Sequence, residues 1–363
     1  MEFKIRNVND GFRTLVDGIS SGEIPTKRTS SRNGDVLRIQ EPITITYNYP
    51  QECVLFNQAR DANCFFHLFE ALWMLAGCND VASVAYYAAS MTNYSDNGET
   101  LHGAYGYRWI KAFGYNQLRI IIHELKKNPD SRRCVLQMWD AHGVLNSDLY
   151  IATHGGKDVP CNVCAFFEVV DGEVNMTVVN RSNDIVWGLF GANAVHFSFL
   201  LMYVAGNLGL KIGKYHQFTA NAHIYTENNS GFKHEEWLAE YQDTLIPDAY
   251  VQSGPWDVPA GSKPLNLVKL VQDPAVFERE LPLFVEAFSG DNPNDERHGK
   301  WKEPFLDLVA SPMLWAFNLH KKRLYETALN AAKNIMANDW RIAATNWLNK
   351  RQQSWENKNA ISK

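Results

Sequence analysis

The sequence predicts an α/β (α+β) fold carrying a mostly helical C-terminal extension. Strand-type runs alternate with helix-type runs as far as residue 228, composition shifts toward Pro and Gly near 250–265, and residues 301–350 are helical by pattern. A chain of 363 residues suits one large α/β unit with an appendage. The expected division is 1–250 for the α/β domain and 251–363 for the extension.

Each element follows from local pattern. TKRTSSRNGD (26–35) is expected as a polar loop between a short helical start and VLRIQEPITITYNY, whose alternation and Ile/Thr/Tyr content read as strand. NCFFHLFEALWMLAG (63–77) has helical spacing, with Gly77 at the C-cap position. TNYSDNGETLHGA (92–104) reads as loop. NQLRIIIHELKKN (116–128) is an amphipathic helix stopped by Pro129, and RRCVLQMWD follows as a buried strand. CNVCAFFEVVDGEVNMTVVNRS (161–182) is a β-hairpin turning at Asp171-Gly172. ANAVHFSFLLMYVAGNLGL (192–210) is a long buried helix, and IGKYHQFTANAHIYTEN returns as a strand. The 250–265 stretch is a candidate linker, and the tail WENKNAISK is expected to fray.

Composition excludes several classes. Hydrophobic residues make up 45% and charged residues 21%, enough for a sizeable core. Thirty-five Lys and Arg against 40 Asp and Glu leave a net charge of −5. That argues against direct nucleic-acid binding through a broad basic face, but not against a local anion pocket. No run of about 18 uninterrupted apolar residues suggests a membrane span, and MEFKIRNVNDGFRTL lacks the apolar core of a secretory signal. The cysteines (53, 64, 78, 134, 161 and 164) lie in apolar contexts and point to reduced thiols in a cytoplasmic protein.

Several residue groups are suited to chemistry. Arg132 and Arg133 sit where a loop enters a strand, Arg181, Ser182 and Asp184 leave a strand end, and Arg28 and Arg32 lie in the early polar loop. Arginines on loops can converge on a phosphate, which the guanidinium fork matches bidentately; scattered surface charge is the plainer reading. Cys161, directly after Pro160, is placed to present a thiol to a cavity, where guanidinium charge would lower its pKa. A buried structural thiol is the plainer reading. Cys161 and Cys164 form a CxxC, but no second Cys/His pair has ligand spacing, and i, i+3 on a strand face opposite sides. No metal is expected. Glu70 is the only acid in an apolar helix and must be paired, hydrated or protonated. His223 and Tyr225, at i, i+2, share one strand face, as site residues or as a core pair.

Taken in order, Arg28-Thr29, FEALWMLAGCND, AYGYRW, NPDSRR, PC, NRSND…WG and AHIY resemble the thymidylate synthases and their hydroxymethylase relatives over roughly residues 20–230. The resemblance implies a mixed sheet with helices in a catalytic domain over 1–250, and a homodimer whose sheets pack back to back. By that likeness Cys161 is the nucleophile adding to C6 of a pyrimidine nucleoside monophosphate. Arg28, Arg181 and Ser182 hold its phosphate, joined by Arg132 and Arg133 of the partner subunit. Glu70 runs a proton network for base and folate, with Tyr105 and Asn162 in the catalytic set. Asp184 faces the pterin of 5,10-methylenetetrahydrofolate, the co-substrate. His223 and Tyr225 bond the sugar, and Asn193, or Ala192 in the alternative register, reads the base edge. A thiolate at C6 makes C5 nucleophilic, and fixed donors stabilise the charge that develops.

The departures bear on the product. Methyl-forming members carry His after the nucleophile, where this chain has Asn162. They read LGxPFN where this chain has WGLFGAN, with no Pro and one extra residue, and they carry a shielding Trp in the loop before the YG motif, where residues 91–104 have none. No terminal segment matches the one that closes over folate. An accessible exocyclic methylene takes up water, whereas a shielded one receives hydride. Hydroxymethylation of dUMP is therefore the expected activity, in a phage or actinobacterial setting and, if viral, in the host cytoplasm. The alternatives are a methylating synthase (with Tyr94 or Trp109 as the missing cover), a dCMP or CMP enzyme, and a nucleotide or RNA binder without turnover.

Overall fold

Two mixed sheets carry the fold. The computed structural model describes residues 1–143, 145, 147–227, 233–243, 248–253, 265, 267–290 and 300–361. The strands are β1 (Glu2–Ile5), β2 (Thr26–Ser31), β3 (Gly34–Ile39), β4 (Ile43–Tyr47), β5 (Val135–Gln137), β6 (Asn162–Val170), β7 (Glu173–Asn180), β8 (Asn183–Asp184), β9 (Lys211–Thr219) and β10 (Ala222–Tyr225). The first helices are α1 (Val8–Ser21), α2 (Cys64–Leu75), α3 (Val81–Tyr87), α4 (Tyr105–Tyr107), α5 (Gln117–Lys127), α6 (Asp148–Thr153) and α7 (Asn193–Leu208). The remainder are α8 (His234–Asp243), α9 (Ala249–Ser253), α10 (Pro274–Phe288), α11 (Ser311–Lys321), α12 (Tyr325–Lys333) and α13 (Asn338–Ile361).

The large sheet runs β1-β4-β9-β7-β6-β5 and the small one β2-β3-β10-β8. Asp171 and Gly172, with φ of 52° and 77°, make the tight turn of the β6–β7 hairpin. Gly77, at φ 69°, ends α2 as its spacing predicts. Asn116 caps α5, which stops at Asn128 before Pro129.

Several expectations need correction. Residues 26–31 are strand, because β2 pairs along its length with β3 and so forms a hairpin where polarity alone suggests a loop. The 212–228 strand divides: β9 ends at Thr219 and the chain crosses to the other sheet, where β10 pairs with β3 and β8. The strand in RRCVLQMWD is short and only half-buried, since β5 lies at the sheet edge. The 92–104 loop begins inside a 3₁₀ turn, Ala89–Tyr94. Helix α13 continues through Ile361, beyond the expected start of fraying, and residues 362–363 lie outside the described residues. Most of the candidate linker, 254–264, also lies outside them.

Helices α2 and α7 are apolar on nearly every face, so both need cover on every side. The large sheet covers one side of α7, and α2 packs against α7. Further cover comes from the C-terminal helices, where Phe65 packs on Phe317 and Trp347, and Phe199 on Phe305 and Trp340. The stretch Ile185–Leu208 is long and apolar enough to cross a bilayer by composition, but it is kinked at Gly191 and 78% buried inside the protein. Its hydrophobicity belongs to the core.

The far face of the large sheet is different. Val135 and Phe166 sit opposite one another across β5 and β6, and Phe218 and Val170 lie on the same face by register. These side chains are 36–45% exposed.

Candidate active site

The β6–β7 hairpin brings two distant motifs together. Because Asn162 pairs with Asn180, Cys161 and Arg181 become neighbours where the hairpin opens. Arg181 folds back over the turn that precedes β6. Its Nε donates to Pro160 O (2.7 Å), its Nη2 to Val159 O (3.1 Å), and Nη2 lies 3.7 Å from Cys161 Sγ. Tyr105 Oη accepts the backbone N–H groups of Cys161 (2.9 Å) and Asn162 (3.1 Å), tying this turn to α4. Burial pushes the Cys161 thiol above its usual range, and the Arg181 guanidinium pulls it back without reversing the direction. The expected net depression of this thiol is thus not what a single chain provides. A bulge at Val163 interrupts the alternation assumed for Cys161 and Cys164. All six cysteines are free.

The small sheet supplies a second wall. β10 runs parallel to β8 with His223 opposite Asp184, so the AHIY and RSND motifs meet edge to edge. The His223 and Tyr225 rings touch at right angles, 5.5 Å apart, and burial lowers the His223 pKa, leaving its ring neutral near pH 7. Asp184 Oδ1 accepts the Trp187 N–H, while its buried Oδ2 has no hydrogen-bond partner among the described residues. Burial pushes this carboxyl up to about 7, against the backbone N–H of Trp187 and the charge of Arg60. Arg60 lies 4.2 Å over the Trp187 ring and donates to Val186 O at 2.7 Å.

WGLFGAN runs through a wide π-turn, Ile185–Ala192, from which α7 starts at Asn193. Asn193 Nδ2 donates to Asn183 Oδ1 at 3.1 Å. Gly188 makes this approach feasible, because a Cβ there would stand 2.4 Å from Asn183 Oδ1. Ala192 is half-buried at the same turn.

Glu70 is buried on α2 and has a partner that the sequence did not reveal: His196 on α7, with Nε2 2.9 Å from Glu70 Oε2. Nothing in the spacing links these residues; only the packing of α2 on α7 does. The contact is out of line for a hydrogen bond, and both atoms join Asp184 Oδ2, Asn183 Nδ2 and Asn162 Nδ2 as buried polar atoms without a hydrogen-bond partner. Buried polar groups left unsatisfied in this way suit a site that takes a polar ligand.

The other expected residues differ in how close they come, and Arg32 is near enough to Cys161 to draw its thiol pKa down. Arg28 lies on exposed β2 with its guanidinium engaged by Asp35 at 3.1 Å. Arg32 grips the carbonyls of Gly156 (2.7 Å) and Lys157 (2.8 Å). Arg132 and Arg133 are exposed beside the open face of the large sheet and make no ion pair among the described residues. Ser182 is half-buried beside Arg181. Asn162 is 0% exposed, and its Oδ1 is taken by Asn180. Trp109 is fully buried against Phe197, whereas Tyr94 remains exposed and near enough to Asp158, Asp184 and Tyr225 to feel their charges. Among the described residues no group of three or more His, Cys, Asp or Glu is arranged to hold a metal ion.

Residues 15–242 match the family described as thymidylate synthase. A deoxyuridylate hydroxymethyltransferase of Pseudomonas phage M6 is 40% identical over 365 residues, covering 98% of this chain and 96% of the relative. Proteins of the same description from Bacillus phage SP01 and Delftia phage PhiW-14 are 35% and 28% identical over 232 and 214 residues, each covering 57% of this chain and 59% and 58% of the relatives.

Proposed function

Because the chain belongs to the thymidylate synthase family, we propose that it hydroxymethylates dUMP at C5, using methylenetetrahydrofolate, in the cytoplasm of a phage-infected host. The full-length similarity to the M6 enzyme, 40% over 98% of this chain, carries the reading. When bound, the folate supplies a one-carbon unit at the formaldehyde oxidation level. Its pterin presents N–H donors, which the unpartnered Oδ2 of Asp184 suits.

In this reading Cys161 Sγ bonds to C6 and turns C5 into a nucleophile. The phosphate is held by Arg181, Ser182 and Arg28, the last exchanging Asp35 for the anion. Asn193 reads the base edge, His223 and Tyr225 hold the sugar, Tyr105 fixes the backbone of the nucleophile, and Glu70 moves protons at the base. Arg132 and Arg133 reach the site of a second subunit. The exposed apolar face beside them supports a homodimer joined sheet to sheet, and a partner's guanidinium groups would lower the Cys161 pKa that burial raises. In the C-terminal extension, the described helices act as the cover that α2 and α7 require.

The product test runs the reaction in ¹⁸O-water while following dihydrofolate by absorbance. Labelled hydroxymethyl product without dihydrofolate is expected. Stoichiometric dihydrofolate with unlabelled dTMP would identify a methylating synthase instead.

A further inference from the structure

Asp158 is a half-buried carboxyl beside the nucleophile to which no role has yet been given. Its Oδ2 accepts the Gly103 N–H at 2.7 Å, while Oδ1 has no hydrogen bond and the carboxyl no ion pair among the described residues. The seat is shaped for it: a Cβ on Gly103 would stand 2.9 Å from Oδ1 and 3.2 Å from Oδ2. The backbone on either side is pinned: before it Arg32 holds the carbonyls of Gly156 and Lys157 and Lys157 N donates to Asp96, and after it Arg181 holds the carbonyls of Val159 and Pro160. Three further groups feel the charge of Asp158: the Cys161 thiol and the hydroxyls of Tyr105 and Tyr94. Burial holds the Asp158 carboxyl itself above its usual range, which favours a proton acceptor.

We propose that Asp158 is a catalytic residue that orients and deprotonates the water adding to the one-carbon unit on C5. This rests on the proposed hydroxymethylation. The water oxygen bonds to the exocyclic carbon while its proton passes to Asp158. The exocyclic π pair moves toward C5 and the C4 carbonyl, then returns to form the C5–C6 double bond and expels the Cys161 thiolate from C6. Asp158 gives its proton to the departing sulfur, so thiol and carboxylate are both restored and only water is consumed. Asn162, fully buried and bonded to Asn180, is less open to that water.

The test compares wild type with Asp158→Asn, which keeps the size and an oxygen for Gly103. The variant is expected to form the 5-fluoro-dUMP–folate adduct within about threefold of the wild-type rate. It should lose hydroxymethyl product at least 100-fold, and the dUMP-plus-methylene mass should accumulate on Cys161 in denaturing mass spectrometry. Gly103→Ala, which displaces the carboxyl, should partition the same way and stands in if Asp158→Asn does not fold. Hydroxymethyl product within tenfold of wild type, or parallel loss of adduct trapping and turnover in a folded variant, overturns the assignment. The wild-type product decides the hydroxymethylase reading separately.

Discussion

At Cys161 burial and charge oppose one another, and the single chain leaves burial ahead. In the proposed site this thiol is no ground-state anchor, because the phosphate would fall to the arginines. Cys161→Ala should therefore abolish turnover by at least about 10³-fold while calorimetry still shows dUMP binding; Cys164→Ala should be mild. Asp184 makes a second case. In the fold its carboxyl keeps its proton up to about pH 7, whereas its ordinary value is 3.8, so its contribution to stability falls as pH rises between those values. Asp184→Asn should thus raise Tm at pH 8 but not at pH 3.5. Folate affinity of the wild type should weaken as pH falls below 7, and the Asn variant should bind poorly throughout. Cys161, Arg181 and Asp184 were legible because each lies in a short motif. His196 and Asp158 were not, since what singles them out is contact with Glu70 and Gly103, which no local spacing encodes.

Among elements, the seat of α4 on α2 is the least forgiving. A Cβ on Gly106 would come within 1.9 Å of Met74 O and 2.3 Å of Met74 Cα, and helix backbone cannot yield. Gly106→Ala should cost about 3 kcal/mol or more, read by urea denaturation, and move Tyr105 off the Cys161 turn. Periodicity located α2, α5 and the β6–β7 hairpin because each has a clean repeat and a recognisable end. It failed at β2, whose Thr, Lys, Arg and Ser owe their strand state to pairing with β3, and at 219–222, where a change of sheet leaves no break in composition.

For the whole molecule, the proposed paired assembly would account together for the open face of the large sheet and the two exposed arginines at its edge. Arg132→Ala and Arg181→Ala should each be poor enzymes. Mixed after subunit exchange, they should recover up to about a quarter of wild-type activity, because half of the dimers are mixed and each of these holds one site free of both changes. No recovery, with exchange confirmed by native mass spectrometry, would place every phosphate ligand within one chain. In the sequence this proposed arrangement rests only on family likeness, since exposure of Val135, Phe166 and Phe218 depends on which face the remaining strands cover.

The all-round burial of α2 also sets a timetable. The helix carrying Glu70 leaves the ribosome early, yet the aromatic side chains that seal it, Phe317 and Trp347, are made last. Roughly 270 residues of synthesis lie between them, on the order of 15–55 s at about 5–20 residues per second. For that interval the nascent chain shows a greasy, unsealed helix to every chaperone nearby, and no competent site exists until translation is nearly complete.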